Sequence, residues 1–132
     1  MTKCLRSLLV YSVLLLIVSS GCKTETTVSY YLNNLSSSEI KVEGSNIIYA
    51  TTINQIISPN EKKDIGAWSK FGSQTTFFEP ITLFGDDLVI TNVAGDTLVK
   101  EYRKLSNWTA EIAETRFEAA HEYTLVITDA DF

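Results

Sequence analysis

After its first two dozen positions this chain alternates apolar and polar residues along much of its length, and the alternation predicts strands. Thr26, Val28, Tyr30 and Leu32 fall on one side of the pattern, with Thr27, Ser29 and Tyr31 on the other. A repeat of two marks a strand with one buried face. Asn33-Asn34 and the run Ser36-Ser37-Ser38 then read as a turn, after which Ile40 and Val42 alternate with Lys41 and Glu43. Gly44-Ser45-Asn46 predicts a break before one long Ile- and Thr-rich strand over 47–57. Ser58-Pro59-Asn60-Glu61 places Pro where a type I turn accepts it, so the chain is expected to reverse there. A short strand over 61–68 follows, and 69–73 reads as loop.

In the second half Ile81 and Leu83 flank Thr82, Gly85-Asp86-Asp87 predicts a turn, and 88–93 is strongly strand-like. Ala94-Gly95-Asp96 turns again and 97–102 returns, which predicts a hairpin with a short loop. Ala and Glu abound over 110–120, a composition that favours helix, but from Phe117 onward the alternation overrides it. Phe117, Ala119, His121, Tyr123, Leu125 and Ile127 share one face, so a long C-terminal strand is expected. About seven to nine short strands with frequent turns predict an all-β fold, an antiparallel β-sandwich of immunoglobulin-like or related type. A small barrel is the alternative.

The first residues follow a different pattern. Lys3 and Arg6 precede an apolar run from Leu8 to Val18, 11 residues interrupted by Ser12. A membrane-spanning helix needs about 20 apolar residues, whereas a signal-peptide core needs about 7–15 followed by small residues. Ser19, Ser20 and Gly21 supply those small residues, and Cys22 stands directly behind them. Val18-Ser19-Ser20-Gly21-Cys22 resembles the bacterial lipobox, with Ser19 where Leu is usual, a relaxation familiar in Bacteroidetes proteins. That resemblance implies a diacylglyceryl group on the Cys22 thiol and cleavage just before it. The expected division is a signal peptide over 1–21, the lipidated Cys and a short tether over 22–26, and one β domain over 27–132.

Removal of the first 21 residues changes the chemistry of what remains. Cys4 leaves with them, so the mature chain has no thiol for a disulfide or a Cys-rich metal site. Its stability must come from an apolar core, and the remaining 111 residues suffice for one domain. The full chain carries 11 basic and 16 acidic residues; Lys3 and Arg6 depart and no acid does, leaving 9 against 16, a net charge of −7. That balance argues against nucleic acid or anionic lipid as a partner, since both reward clustered Lys and Arg.

The lipobox Cys22, the Thr/Tyr-rich first strand leading to Asn33-Asn34, Asn107-Trp108 and the closing run from Tyr123 to Phe132 together resemble the small Bacteroidetes lipoproteins of unknown function. Those proteins typically end in a Tyr/Thr-rich strand followed by Thr, an acidic residue and an aromatic. The resemblance covers most of the mature chain. It implies a β domain at the cell envelope, with the outer membrane the expected site, and it carries over no catalytic residues.

Candidate chemistry is sparse. His121 is the sole His, on the apolar face of an expected strand, where a packed core residue is the commoner role. A hydrolase would need His121 with carboxylates, yet no Gly-x-Ser-x-Gly elbow supplies a nucleophile. Asp86-Asp87 beside Gly85 fits a turn better than a glycosidase pair, and Asp129 with Asp131 offers two of the six to eight oxygens that Ca²⁺ takes. No catalytic residue, metal or cofactor is expected. Trp68 and Phe71, with Phe77 and Phe78 close behind, and Trp108 fall in regions read as loops, where exposed aromatic rings suit a sugar or a protein hot spot. Asp96-Thr97-Leu98 resembles the Bacteroidetes O-glycosylation sequon, which makes Thr97 a candidate glycan site. The expected function is therefore a membrane-anchored, non-catalytic module that binds an envelope protein or a glycan, with no nucleic-acid partner; a small hydrolase is the alternative.

Overall fold

A computed structural model of the chain describes residues 25–72, 81–115 and 118–132. Among the described residues seven strands form two sheets: β1 Glu25–Asn34, β2 Ile40–Asn46, β3 Thr51–Ile57, β4 Glu61–Phe71, β5 Val89–Asn92, β6 Trp108–Glu114 and β7 Glu118–Ile127. The first sheet has the order β4-β1-β7-β6 and the second β3-β2-β5. Their inner faces close on one apolar core, and the molecule is a β-sandwich. All pairings within the two sheets are antiparallel save one: β1 and β7 run parallel at the centre of the larger sheet. The first and last strands are thus side by side.

β1 and β7 have the same alternating burial, and it follows the sequence. Thr26, Val28, Tyr30, Leu32 and Asn34 point inward from β1; Ala119, His121, Tyr123, Leu125 and Ile127 point inward from β7. Central strands are covered by a neighbour on each side and by the opposite sheet, so alternation over ten residues is enough to fix which face is buried. Tyr30 and Tyr123 lie opposite each other in register and stack with ring centroids 5.3 Å apart. Phe84 and Trp108 meet the Tyr30 ring edge-on at 5.3 and 5.5 Å. Such edge contacts suit the ring quadrupole and add to the burial itself.

Several expectations fail for identifiable reasons. Asn33 and Asn34 extend β1 instead of turning, because the Asn34 amide is buried and fully used. Its Nδ2 donates to the carbonyls of Ser38 and Ile57, and its Oδ1 accepts from the Ser36 N–H and hydroxyl. Gly44-Ser45-Asn46 completes β2, and the turn falls on Ile47–Ala50. Gly44 is required there by close approach, since a Cβ would lie 2.9 Å from the Leu88 Cα. Asn46 shapes the turn, its Oδ1 accepting from the Ile48 and Tyr49 N–H groups, and Ala50 takes a left-handed φ of 51°.

The reversal at 58–61 is present, with the Glu61 N–H donating to the Ser58 carbonyl. Asn60 at φ 61° makes it type II and not type I. Beyond it β4 runs on to Phe71, through the stretch expected as loop. A bulge at Ile65, supported by Asp64 accepting from the Gly66 N–H, keeps the apolar side of this edge strand inward.

Ile81–Phe84 is one helical turn, α1, and not a strand. Leu83 and Phe84 fill the space over Gly66, where an added Cβ would meet Leu83 at 2.9 Å. The hairpin after β5 pairs only at Thr91 and Thr97. Residues 110–114 form strand β6 against β7, despite their Ala and Glu content, because the sheet partner outweighs a weak helical preference. β1 begins at Glu25, two residues inside the expected tether.

The sheets run in a common direction. At one end Asn34 of β1 hydrogen-bonds the Ile57 carbonyl of β3; further along, Asn46 of β2 lies beside Gly66 of β4. The end holding Glu25, Phe71 and Glu118 is called the near end, because Cys22 is three residues before Glu25. The β2–β3 turn points the same way. Asn34, Ile57, Asn92 and Ile127 mark the far end.

Candidate functional site

The candidate binding residues Trp68, Phe71 and Trp108 have different surroundings. Trp108 opens β6 and turns inward, 7% exposed, with its Nε1–H donating to the Tyr102 carbonyl at 2.7 Å. It is a core residue and not an exposed loop ring. Trp68 is in β4 and half-buried against the core. Phe71, at the near end of β4, is 72% exposed and alone of the three presents its ring to solvent. Phe77, Phe78 and Cys22 lie outside the described residues.

His121 is 1% exposed on the inner face of β7, with Nδ1 3.4 Å from the Tyr123 hydroxyl. A general base must reach the proton it removes, and the surrounding core keeps substrate from this ring. The carboxylates singled out in the sequence serve the fold. Asp86 pairs with Arg103 at 2.8 Å, and Asp87 accepts from the Ser45 hydroxyl. Asp129 accepts from the Ser37 N–H and hydroxyl, tying the C-terminal segment to the turn after β1. Asp131 accepts from the Thr128 N–H and hydroxyl and from the Lys100 ammonium. Burial pushes the Asp131 carboxyl up, but those donors outweigh it and hold its pKa below the ordinary carboxylate value. Among the described residues no three His, Cys, Asp or Glu side chains converge as a metal site.

Thr97 is exposed, just beyond a tight turn. Asn92 builds that turn: its Oδ1 accepts from the Ala94 and Asp96 N–H groups, and its Nδ2 donates to the Asp96 carboxylate. A substituent on the Thr97 hydroxyl would meet solvent.

A concavity that no sequence motif announced lies on the outer face of the smaller sheet at the far end. It has a volume of about 290 Å³. Register places Ile56, Lys41 and Thr91 in one cross-strand row, flanked by Glu39, Asn92 and Val93. Ile56 and Val93 are 56% and 72% exposed, so two apolar side chains rim a floor that carries the Lys41 ammonium. That ammonium is paired with Glu43 at 2.8 Å. The backbone beneath is held by the saturated Asn34 amide and by Asn92, so the surface is preformed. Alternation does place Ile56 and Val93 on a face, but not on which side of the sheet that face is covered.

Comparisons of the chain with protein-family models, with curated proteins and with solved structures give no match.

Proposed function

We propose that the protein is a lipid-anchored envelope lipoprotein whose β-sandwich is a non-catalytic binding module, held to the membrane through Cys22 and presenting its far end to another envelope protein. The observation that carries this reading is the polarity of the fold. Two residues, Lys23 and Thr24, separate Cys22 from the first strand at one end, and an apolar-rimmed concavity lies at the other. An envelope protein is favoured over a glycan because no aromatic ring lines that concavity, and sugar rings are recognised chiefly by stacking on aromatic faces. Ile56 and Val93 offer burial worth about 25 cal/mol per Å² of apolar surface covered, while Lys41 on the floor and Glu39 beside it would set orientation more than affinity. The hydrolase alternative would need His121 at a surface, and the ring is in the core.

The test is photo-crosslinking in cells from a reactive residue placed at position 93 or 56 of the native-length protein, with mass-spectrometric identification of the adducts. A discrete protein adduct at these positions, absent when the probe is at Lys62 on the opposite sheet, is expected. Adducts identical from all three positions would contradict the reading.

A further inference from the structure

The near end of the sandwich carries its own group of exposed apolar side chains, and their position relative to the anchor gives them a partner. Ile47, Ile48 and Tyr49 form the β2–β3 turn and are 54%, 46% and 53% exposed; Phe71 ends β4 at 72%. The Ile47 N–H donates to the Leu83 carbonyl, and Leu83 and Asn46 lie against Gly66 of β4, so the turn is on the side of the molecule where β4 runs on to Phe71. The rest of this end is acidic: exposed Glu25 stands between Phe71 and Glu118 in register, Glu118 is exposed, and exposed Glu114 closes β6. Turns are ordinarily polar, because their backbone and side chains meet water. This one is apolar at three successive positions, and Asn46 holds it in shape.

Chain length fixes what lies beside it. Three residue steps at about 3.6 Å each allow at most roughly 11 Å between the Cys22 and Glu25 Cα atoms. Phe71 is the register partner of Glu25, one strand spacing of about 5 Å away. An acylated Cys22 lies at the lipid surface, so the Phe71 backbone is within about 16 Å of it. Phe and Tyr side chains at that depth meet the interfacial zone, where amphipathic and aromatic groups collect. Lys70, beside Phe71, can extend its ammonium to headgroup level while its stem stays apolar.

We infer that the corner formed by Ile47, Ile48, Tyr49 and Phe71 seats in the lipid interface beside the anchor and holds the domain in one pose, with its far end directed away from the membrane. The inference rests on acylation of Cys22. Attachment itself comes from the acyl chains, two or more of which suffice for stable anchoring; the apolar corner sets orientation. With a net charge of −7 on the mature chain, seating does not depend on anionic lipid.

The acylated thiol of Cys22 is blocked and Cys4 is removed, so one introduced Cys is the sole reactive thiol. An environment-sensitive fluorophore is placed at Ile48→Cys, Phe71→Cys or Val93→Cys in the full-length protein, purified from membranes and reconstituted in phosphatidylcholine vesicles. All three positions are exposed, so the core is untouched. Blue-shifted emission and quenching by nitroxide-bearing lipid are expected at 48 and 71, with water-like emission at 93. Protein that floats with the vesicles while its labels at 48 and 71 behave like the label at 93 would overturn the seating and leave the anchor standing. Protein that fails to float would overturn the anchor, and the seating with it.

Discussion

The two ends of this sandwich differ in how their turns are built. At the far end the chain crossings are tied by side-chain hydrogen bonds: Asn34 makes four, Asp129 binds the turn after β1, and Asp131 joins Thr128 to Lys100. At the near end the Thr26 hydroxyl donates to the Gly72 carbonyl and Thr115 ties β6 to β7, while Asn46 supports a turn of exposed apolar residues and β4 stops on an exposed Phe71. Both ends expose apolar side chains, Leu35, Ile56 and Val93 at the far end and Ile47, Ile48, Tyr49 and Phe71 at the near end, but only the near end sets three of them at successive positions of one turn. Each of the following changes tests that difference.

The largest effect belongs to the anchor. Cys22→Ser is expected to abolish incorporation of labelled palmitate while leaving the thermal unfolding of the domain unchanged; palmitate retained on the variant would refute acylation at this thiol. At the far end, Asn34→Ala strands buried carbonyls of Ile57 and Ser38 and should cost about 2–3 kcal/mol in denaturant unfolding. A loss below half a kcal/mol would show that the far end is not organised by this amide. Gly44→Ala forces a methyl against the Leu88 backbone and should cost about 1–3 kcal/mol through β5, whereas Asn46→Ala, at the near-end turn, should cost only about 1 kcal/mol. Should Asn46→Ala prove the costlier of the asparagine variants, the contrast between the ends is reversed.

The smallest effect is a pH dependence confined to the far end. The Asp131 pKa is lower in the folded chain than in the unfolded one, so its contribution is complete above the unfolded value of about 3.9 and is lost as pH falls through the folded value. Asp131→Asn should therefore remove about 1 kcal/mol or less near neutral pH and flatten the acid limb of the stability profile. An acid limb with the same slope in both proteins would assign that loss to other carboxylates.

How much of this was legible in the sequence depended on where each strand sits. β1 and β7 are covered on both flanks and across the core, so their alternation is strict, and Thr26 to Leu32 and Ala119 to Ile127 could be placed on the correct face. The parallel pairing of those strands was not legible, because alternation is the same in either direction. β6 is an edge strand that buries Trp108 and exposes every residue after it, which left composition, misleadingly helical, as the only local signal. The β2–β3 turn was displaced by three residues because Gly44-Ser45-Asn46 has turn composition, whereas the residues that do turn are Ile and Tyr. Local rules fail most often where a segment serves something outside the fold, which is the role proposed above for the apolar turn. For the site, Phe71 was found as an exposed aromatic, while Trp108 was misplaced because a Trp at the start of a short edge strand looks like a Trp in a loop. Ile56 and Val93 carry no motif; only the layering of two sheets shows that their face is open.

The proposed attachment of the near end to lipid through Cys22 can be read from the intact mass of the native protein extracted from membranes. That attachment predicts a chain beginning at Cys22 and carrying the mass of two or three acyl chains. A chain that begins elsewhere, or begins at Cys22 with an unmodified thiol, would contradict it.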